Sequence, residues 1–549
     1  MTSPKPKIEY RYLFKNDGSN QHKMGIAYTD SGGGEGMVLV PPSWQFTPTR
    51  LRDELADADA QGDLSSESLK GVLAAGPNEK KLLTTRTSWF DEAFVLPYRT
   101  INPREDGPVH EDSLHPDLAK WTGGRFKAWK KGVREICDVS DFAVFAIAVG
   151  LSGPLLTFFT PAHGLIFNLA GPQGGGKTTA LRLAQSVLRR VTEDDIDSAN
   201  MTPTALEEHA AENHDMISCA DEFGAVLADK KVGAAIVKQL AYGIRQGHGK
   251  KRSRATQATM GYRQLHFRAC MMTSSEELLS ELFGPRMGGE EVRVIDIMVP
   301  DKKEGGIFVR VDRKRHWGVA DNAKLASDTE GVLTANYGKV LPRFVKALSA
   351  DLNASKTRAL ALCKEFVDRM INSGRVAPEG ARHLQAFGRV YAAGMMAINL
   401  GLLPVGEVRF RAAMRGVFER SELGRRDMEG RLGKALVEIA KLASDERPCQ
   451  VLKKSKGDPD QIARLDAVAR ETKGNYVVGI RPEVFRALAE ASGVTRLDQE
   501  LSDRGILMRG PQGATKQLMV CGKKQYFYCI NIHALVSEAE RLGVTGLMS

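Results

Sequence analysis

Gly171, Gly174, Gly175, Gly176, Lys177 and Thr178, in the string GPQGGGKTT, carry the clearest chemistry in the chain. They fit G-x4-G-K-[ST], the Walker A pattern. Glycine leaves backbone N–H groups free to curl round phosphate oxygens where a side chain would clash. Lys177 would reach the β- and γ-phosphates of a nucleoside triphosphate, and Thr178 would ligate Mg²⁺. Thr179 counts among the residues around the nucleotide. A helix starting at the loop would add partial positive charge at its N-terminus.

Downstream, MISCADEFG sets Asp221 and Glu222 at the end of an apolar run, in the manner of a Walker B pair. Asp221 would hold Mg²⁺, directly or through water, and Glu222 would orient or deprotonate an attacking water. Alone, an acidic pair at a strand end is only a solvated tip. The second carboxylate favours hydrolysis over storage of nucleotide. It also disfavours a small-molecule kinase.

The next apolar run ends CMMTSSEE, where Thr273, Ser274 or Ser275 could touch the γ-phosphate or the lytic water. The competing reading is capping of a following helix by Ser274 or Ser275. Arg293, in GPRMGGEEVRVIDIMVP, could point outward at a neighbouring subunit's nucleotide and stabilise transition-state charge in trans. Arg286 competes for that role, and a salt bridge from Arg293 to Glu290 or Glu291 is the plainer alternative.

Residues 244–268 hold Arg245, Lys250, Lys251, Arg252, Arg254, Arg263 and Arg268, and no acid. Lys250, Lys251, Arg252 and Arg254 fall in a loop or hairpin. They could neutralise nucleic-acid phosphates without reading sequence, or simply form a solvated basic surface.

These residues need a scaffold. The runs GLIFNLA (164–170), DDIDSA (194–199), DMISCA (215–220), QLHFRACMMT (264–273) and EVRVIDIMVP (291–300) read as strands with helical patterns between several of them. That order predicts an α/β fold with a mostly parallel, doubly covered sheet. Residues 1–115 read as a small α+β region with strands GIAYTD, GMVLVP and EAFVLPYRTI. The stretch SGGGEG is expected to be a hairpin or loop, and a helix capped by Thr47 or Thr49 follows. Residues 116–320 form the ATPase core, 321–440 a helical lid or bundle, and 441–549 a C-terminal winged helix-turn-helix domain. In the last of these, KKSKGDPDQ is a linker. RPEVFRALAEAS and VTRLDQELSDRG are the two helices, the second with Arg496 and Arg504 as a recognition helix. GILMRG and KQYFYCINI form the wing, with Lys516, Lys523 and Lys524.

Composition sets bounds. The chain has 549 residues, 42% hydrophobic and 26% charged, which suits a globular protein of three or four domains. A net charge of +10 permits an acidic partner without requiring one. Seven cysteines with no CxxC pair suggest reduced, buried thiols in a cytoplasmic protein and argue against structural zinc. The N-terminus has no apolar core of a signal peptide. FAVFAIAVGLSGPLLTFF (142–159) is nearly long enough to span a membrane, but Gly150, Gly153 and Pro154 interrupt it, so two packed core pieces and no membrane are expected.

In order, the loop, acidic pair, polar strand tip and late arginine resemble AAA+ P-loop ATPases. More closely, TSWFDEAFVLP, GGRFKAWKKGV, FAIAVGLSGPLL, AGPQGGGKTTALRLA, MTPTALEEHA, CADEFG and GGEEVRVIDI resemble domain-of-unknown-function family 927, strongest over residues 85–310. That family occurs in phage, plasmid and genomic-island replication proteins related to minichromosome-maintenance-type helicases. The resemblance implies an AAA+ fold and an ATP- and Mg²⁺-dependent DNA helicase or translocase. It would act as a homo-oligomeric ring, a hexamer, with active sites between subunits. Arg293 then matches a trans-acting arginine, and Lys250 and Lys251 match a DNA-touching hairpin. Arg389 or Arg382 could be a second sensor arginine. The loop departs from many relatives by its three glycines before the lysine. No primase or nuclease centre is visible in residues 1–115, so a separate primase or initiator is an expected partner. An ATP-dependent DNA-binding switch or loader that does not unwind uses the same nucleotide residues and is the alternative.

Overall fold

The computed structural model describes residues 8–16, 22–104, 107–114, 117–192, 195–198, 201–223, 230–249, 265–279, 294–308, 318–372, 381–443, 449–451, 465–472, 475–494, 497–511, 513–520 and 523–544. The chain divides into two compact units, one of residues 1–367 and 382–421, the other of 368–381 and 422–549.

In the first unit, strands β1 (Ile8–Asn16), β2 (His22–Asp30), β3 (Glu35–Val40), β4 (Ala60–Gln61), β5 (Glu79–Thr84) and β9 (Val109–His110) form one mixed sheet in the order β3-β2-β1-β5-β9, with β4 on β2. Helices α1 (Pro48–Asp57) and α2 (Ser66–Ala74) contribute Leu51, Leu55 and Leu69 to a core shared with Ile8, Tyr10, Met24, Ile26, Val38 and Val40. The glycine-rich SGGGEG is the turn between β2 and β3 and the start of β3, as expected of a hairpin. Thr47 sits at the N-cap of α1, but its side chain makes no capping bond, and Pro48 follows as the first helical residue. EAFVLPYRTI is not one strand: Pro97 and Tyr98 turn the chain between β7 (Ala93–Leu96) and β8 (Arg99–Ile101), which pair antiparallel beside β6 (Ser88–Phe90).

The central sheet has five parallel strands in the order β11 (Asp197–Ser198), β12 (Ile217–Asp221), β13 (Cys270–Ser275), β10 (Leu165–Ala170), β14 (Ile295–Met298). All side chains of β10 and β13 are buried, as the continuous apolar runs of a doubly covered parallel sheet require. Helices α3 (Leu118–Trp121), α4 (Phe126–Gly132), α5 (Arg134–Val139) and α6 (Asp141–Ser152) lead into β10, and α7 (Lys177–Ser186) leaves it. One face of the sheet packs Ile166, Ala220 and Met271 against α8 (Pro203–Glu212) and α9 (Lys230–Gln246). The other carries Phe167, whose ring meets Phe145 of α6 edge-on at 5.2 Å and Phe387 at 5.5 Å.

Helix α6 is apolar all round. Ser140 caps it by accepting from the Ala143 N–H, and it continues as a 3-10 turn over Gly153–Phe158. The window Asp141–Phe158 is long and apolar enough to cross a membrane, yet 94% of it is buried inside the protein. Its first residue, Asp141, pairs with Arg409 at 2.5 Å. Two packed core pieces, as the glycines and proline suggest, account for it.

Helices α10 (Val319–Ala335), α11 (Leu341–Ser349), α12 (Leu352–Asn372), α13 (Ala381–Asn399) and α14 (Glu407–Glu419) follow. Cys137, Cys219, Cys270, Cys363 and Cys529 are buried free thiols, and burial pushes those of Cys137 and Cys270 up to about 12.

The second unit holds α15 (Glu422–Ala443), β15 (Cys449–Val451), β16 (Ala467–Thr472), β17 (Asn475–Ile480), α16 (Pro482–Ser492), α17 (Leu497–Asp503), β18 (Leu507–Met508), β19 (Lys516–Val520), β20 (Lys523–Asn531) and α18 (Ile532–Arg541). Its sheet runs β15-β16-β17-β20-β18, with β19 on β20. The two expected helices and the strands within GILMRG and KQYFYCINI are present, but an unexpected strand, β19, lies between those strands and pairs with β20, and β15–β17 and α18 enlarge the unit. The linker KKSKGDPDQ lies outside the described residues.

Candidate nucleotide site

The glycine loop leaves β10 at its carboxyl end and enters α7 with no residue to spare. Gly176, at the N-cap of α7, has φ +85°, and Gly171 has φ +155°. A Cβ on Gly171 would lie 2.2 Å from the Val299 carbonyl oxygen, so no other residue fits there. The Val299 N–H donates to the Ala170 carbonyl at 2.7 Å, and the Ile307 N–H to the Gly175 carbonyl at 2.8 Å. The segment Val299–Phe308 therefore backs the loop, a wall that nothing in its sequence announced.

Lys177 is 9% exposed. Its ammonium donates to the carbonyls of Gly171 at 2.6 Å and Pro172 at 2.8 Å, folded back across the loop. Burial lowers its pKa, partly opposed by the charges of Glu276 and Asp221. Gln173 at the loop's tip donates to Glu276 at 2.6 Å.

Strand β13 lies between the loop strand β10 and the acidic strand β12. Its insertion delivers a hydroxyl to the acidic pair. Ala220 is level with Thr273, so Asp221 comes level with Ser274. The Ser274 hydroxyl donates to one oxygen of Asp221, and the Thr178 hydroxyl donates to the other at 2.7 Å. The Glu222 N–H donates to Asp221 Oδ1 at 3.0 Å and to Ser274 Oγ at 3.2 Å. Glu222 has φ +60°, a left-handed conformation that costs a non-glycine residue, and its side chain is exposed at the mouth of the site.

Thr178, Asp221, Glu222, Ser274 and Lys177 thus converge at the carboxyl edge of the sheet, where open α/β sheets bind ligands. A hydroxyl and a carboxylate are hard oxygen donors of the kind Mg²⁺ takes. Glycines that admit no Cβ leave a backbone cradle of phosphate size. The residues fit a Mg²⁺–nucleoside triphosphate.

Two expected site residues are not brought there. Thr273 is fully buried and donates to Asn168 Oδ1 at 3.0 Å, because neighbouring residues of a strand face opposite ways. Asn168 also donates to Ser275 at 2.7 Å and Asp296 at 2.7 Å, a buried network tying β10, β13 and β14 together. Thr179 turns its hydroxyl to Glu330 of α10 at 2.8 Å, away from the loop.

Arg389 is no second sensor. It is buried and donates to the carbonyls of His163 at 3.0 Å and Pro161 at 3.1 Å, at the amino end of β10. The glycine loop lies at the opposite end. Arg382's side chain, Arg286 and Arg293 lie outside the described residues. So do Lys250, Lys251, Arg252 and Arg254.

The described flanks of that basic segment pair antiparallel: His248 bridges His266, the Gly249 N–H donates to Leu265 at 2.8 Å, and the Phe267 N–H to Gly247 at 2.9 Å. Of the seven bases counted there, Arg268 is already engaged. It pairs with fully buried Asp215 at 2.6 and 2.8 Å, and Ser88 donates to the same carboxylate at 2.5 Å.

The family described as Domain of unknown function (DUF927) matches residues 7–261. The match starts well before the expected residue 85, so it takes in the N-terminal sheet with the glycine loop and the acidic pair, and it ends ahead of β13. A solved structure described as "SCCmec type IV Cch - active helicase" is similar to this chain at 15% identity, with a TM-score of 0.55, over 97% of this chain and 94% of that one. At that identity the likeness is one of fold, and it extends over nearly the full length of both chains. No curated protein matches the sequence.

Proposed function

We propose that the chain is an ATP-dependent DNA helicase or translocase acting in the replication of a mobile genetic element, with an AAA+ core, a helical lid and a winged helix. It would work in the cytoplasm as a ring, a hexamer, hydrolysing ATP between subunits. A separate primase or initiator would supply priming. The observation that carries the reading is the single carboxylate of Asp221 held between Thr178 and Ser274 beside the loop lysine. The fold shared with a structure described as an active helicase supports the wider claim.

In this reading the loop N–H groups and Lys177 bind the phosphates, and Lys177 leaves the loop carbonyls to do so. Thr178 and Asp221 hold Mg²⁺, which when bound neutralises developing phosphate charge. Glu222, at the open mouth of the site, accepts the proton of the attacking water, and Ser274 keeps Asp221 oriented. Strand β14 opens at Ile295, level with Phe167 and short of the loop end of β10. Arg293, two residues before β14 in the sequence, would serve a neighbouring subunit's nucleotide. Lys250, Lys251, Arg252 and Arg254 would track a DNA backbone.

ATP hydrolysis measured with and without single-stranded DNA, alongside unwinding of a forked duplex, tests this. Stimulation and unwinding are expected. Changing Lys250 and Lys251 to alanine should abolish unwinding and spare basal hydrolysis. Stimulation without unwinding would instead identify a switch or loader, and no response to any nucleic acid sinks the motor.

A further inference from the structure

From Arg504 to Ser537 the sequence holds Arg504, Arg509, Lys516, Lys523 and Lys524 and no carboxylate. This second acid-free stretch builds the β19–β20 hairpin. Its register sets Gln517 opposite Tyr526 and Met519 opposite Lys524. Side chains alternate, so these four share one face, and all four are exposed. Leu518, Val520 and Phe527 take the other face and pack into a small core with Val468 and Cys529. The outer end of β20, up to Phe527, has β19 as its only partner among the described strands.

Tyr526 is 54% exposed and Met519 55%. They are diagonal neighbours across the ladder, close enough for a ring and a thioether to present one continuous apolar surface. A single exposed apolar residue needs no explanation. Two together on a ribbon at the sheet's margin, beside a lysine and within an acid-free stretch, form an apolar step with a cationic border.

The neighbouring helix α17 offers nothing comparable. It carries Asp498, Glu500 and Asp503, and its following base, Arg504, is paired with Glu538 and with Glu500 at 3.7 Å. A phosphate backbone is repelled there and attracted at the hairpin.

We propose that Gln517, Met519, Lys524 and Tyr526 form a binding site for the unpaired bases of a single nucleic-acid strand. Tyr526 stacks on a base, Met519 extends the apolar step, Lys524 meets the adjoining phosphate and Gln517 donates to a base edge. Stacking tolerates any base and either sugar, because every base has a π-face. The site deepens the DNA-acting reading and rests on it for its use.

The test is fluorescence anisotropy of the full chain, without nucleotide, on a labelled thymidine oligonucleotide of about 20 nucleotides. A matching uridine oligomer, an abasic strand and a duplex complete the set. Tyr526→Ala should weaken binding of both base-bearing single strands roughly tenfold, Tyr526→Phe should retain it, and binding of the abasic strand and the duplex should not change. If Tyr526→Ala leaves every affinity unchanged, the proposal is overturned. An equal loss on the abasic strand or the duplex overturns it as well. DNA-stimulated ATP hydrolysis of the wild-type chain, measured beside the binding series, separates the two readings. Tyr526-dependent binding without any DNA-stimulated hydrolysis defeats the motor alone, and stimulation without Tyr526-dependent binding defeats this site alone.

Discussion

The Thr178 hydroxyl lies 2.7 Å from a carboxylate oxygen of Asp221, across 43 residues of sequence and one intervening strand. Strand β13 lies between β10 and β12. From it, Ser274 occupies the second oxygen. The two hydroxyls therefore have separable roles. Asp221→Asn removes the charge proposed to hold Mg²⁺ and should lower the hydrolysis rate by at least about a hundredfold. Ser274→Ala leaves the charge and frees its orientation, so roughly tenfold slower turnover with unchanged nucleotide affinity is expected. Phosphate release and equilibrium binding of a fluorescent nucleotide, measured on both variants, check this. A Ser274→Ala chain that loses affinity and keeps its rate would contradict it.

That arrangement was only half legible in the sequence. The loop and the acidic pair announce themselves by residue type at fixed spacing. The choice among Thr273, Ser274 and Ser275 does not, because strand alternation offers two faces and only lateral register selects one. QLHFRACMMT looked like one strand from residue 264, yet the strand spans Cys270–Ser275, because Gly247 and Gly249 claim the backbone groups of Leu265 and Phe267. Strand β1 is hidden in the sequence for a similar reason. A register shift between Tyr10 and Tyr12 breaks its alternation, so Ile8 and Tyr10 serve one core while Phe14 serves another. Arg389 has the type and helical setting of a sensor, but the cation's partners are loop carbonyls that sequence cannot bring to it.

Lys177 carries a pH signature. Burial sets its folded-state pKa below its unfolded value, so the protonated form is penalised in the folded chain. The penalty is full below the folded pKa and fades as pH rises toward the unfolded value. Ligand-free wild type should therefore gain thermal stability relative to Lys177→Met as pH rises toward the ordinary lysine value of 10.5. At neutral pH, saturating Mg²⁺–ATP should stabilise the wild type by about 2.7 kcal/mol at a hundredfold excess over Kd and leave Lys177→Met unmoved. Paired melts across pH, with and without nucleotide, read both effects.

Asp215 is fully buried at the turn before β12, and Arg268 clamps it from the turn before β13. Removing one partner strands a charge. Arg268→Met should cost about 3–5 kcal/mol, and the compensating Asp215→Asn in the same chain should recover a large part of it. Ser88 shares this carboxylate, so the loss should also loosen the three-stranded sheet of residues 88–101. Hydrogen exchange of Ser88–Ile101 in the single and double variants reports that directly. Equal exchange in all three chains would show that the pair does not anchor that sheet.

Glu222 combines strain with chemistry. Its φ of +60° is tolerated because its N–H is held by both Asp221 and Ser274, which fixes the side chain at the open mouth of the site. Glycine has no Cβ to strain, so Glu222→Gly should stabilise the folded chain by about 1 kcal/mol while ending hydrolysis. Glu222→Gln keeps the strain and the shape and loses only the proposed base. It should bind ATP as the wild type does, hydrolyse it at least about a hundredfold more slowly, and melt at the wild-type temperature. Denaturant unfolding and single-turnover hydrolysis on the two variants separate stability from catalysis. A glycine variant less stable than the glutamine variant would mean that the left-handed turn carries no strain, and that Glu222 is held there by contacts of its side chain instead.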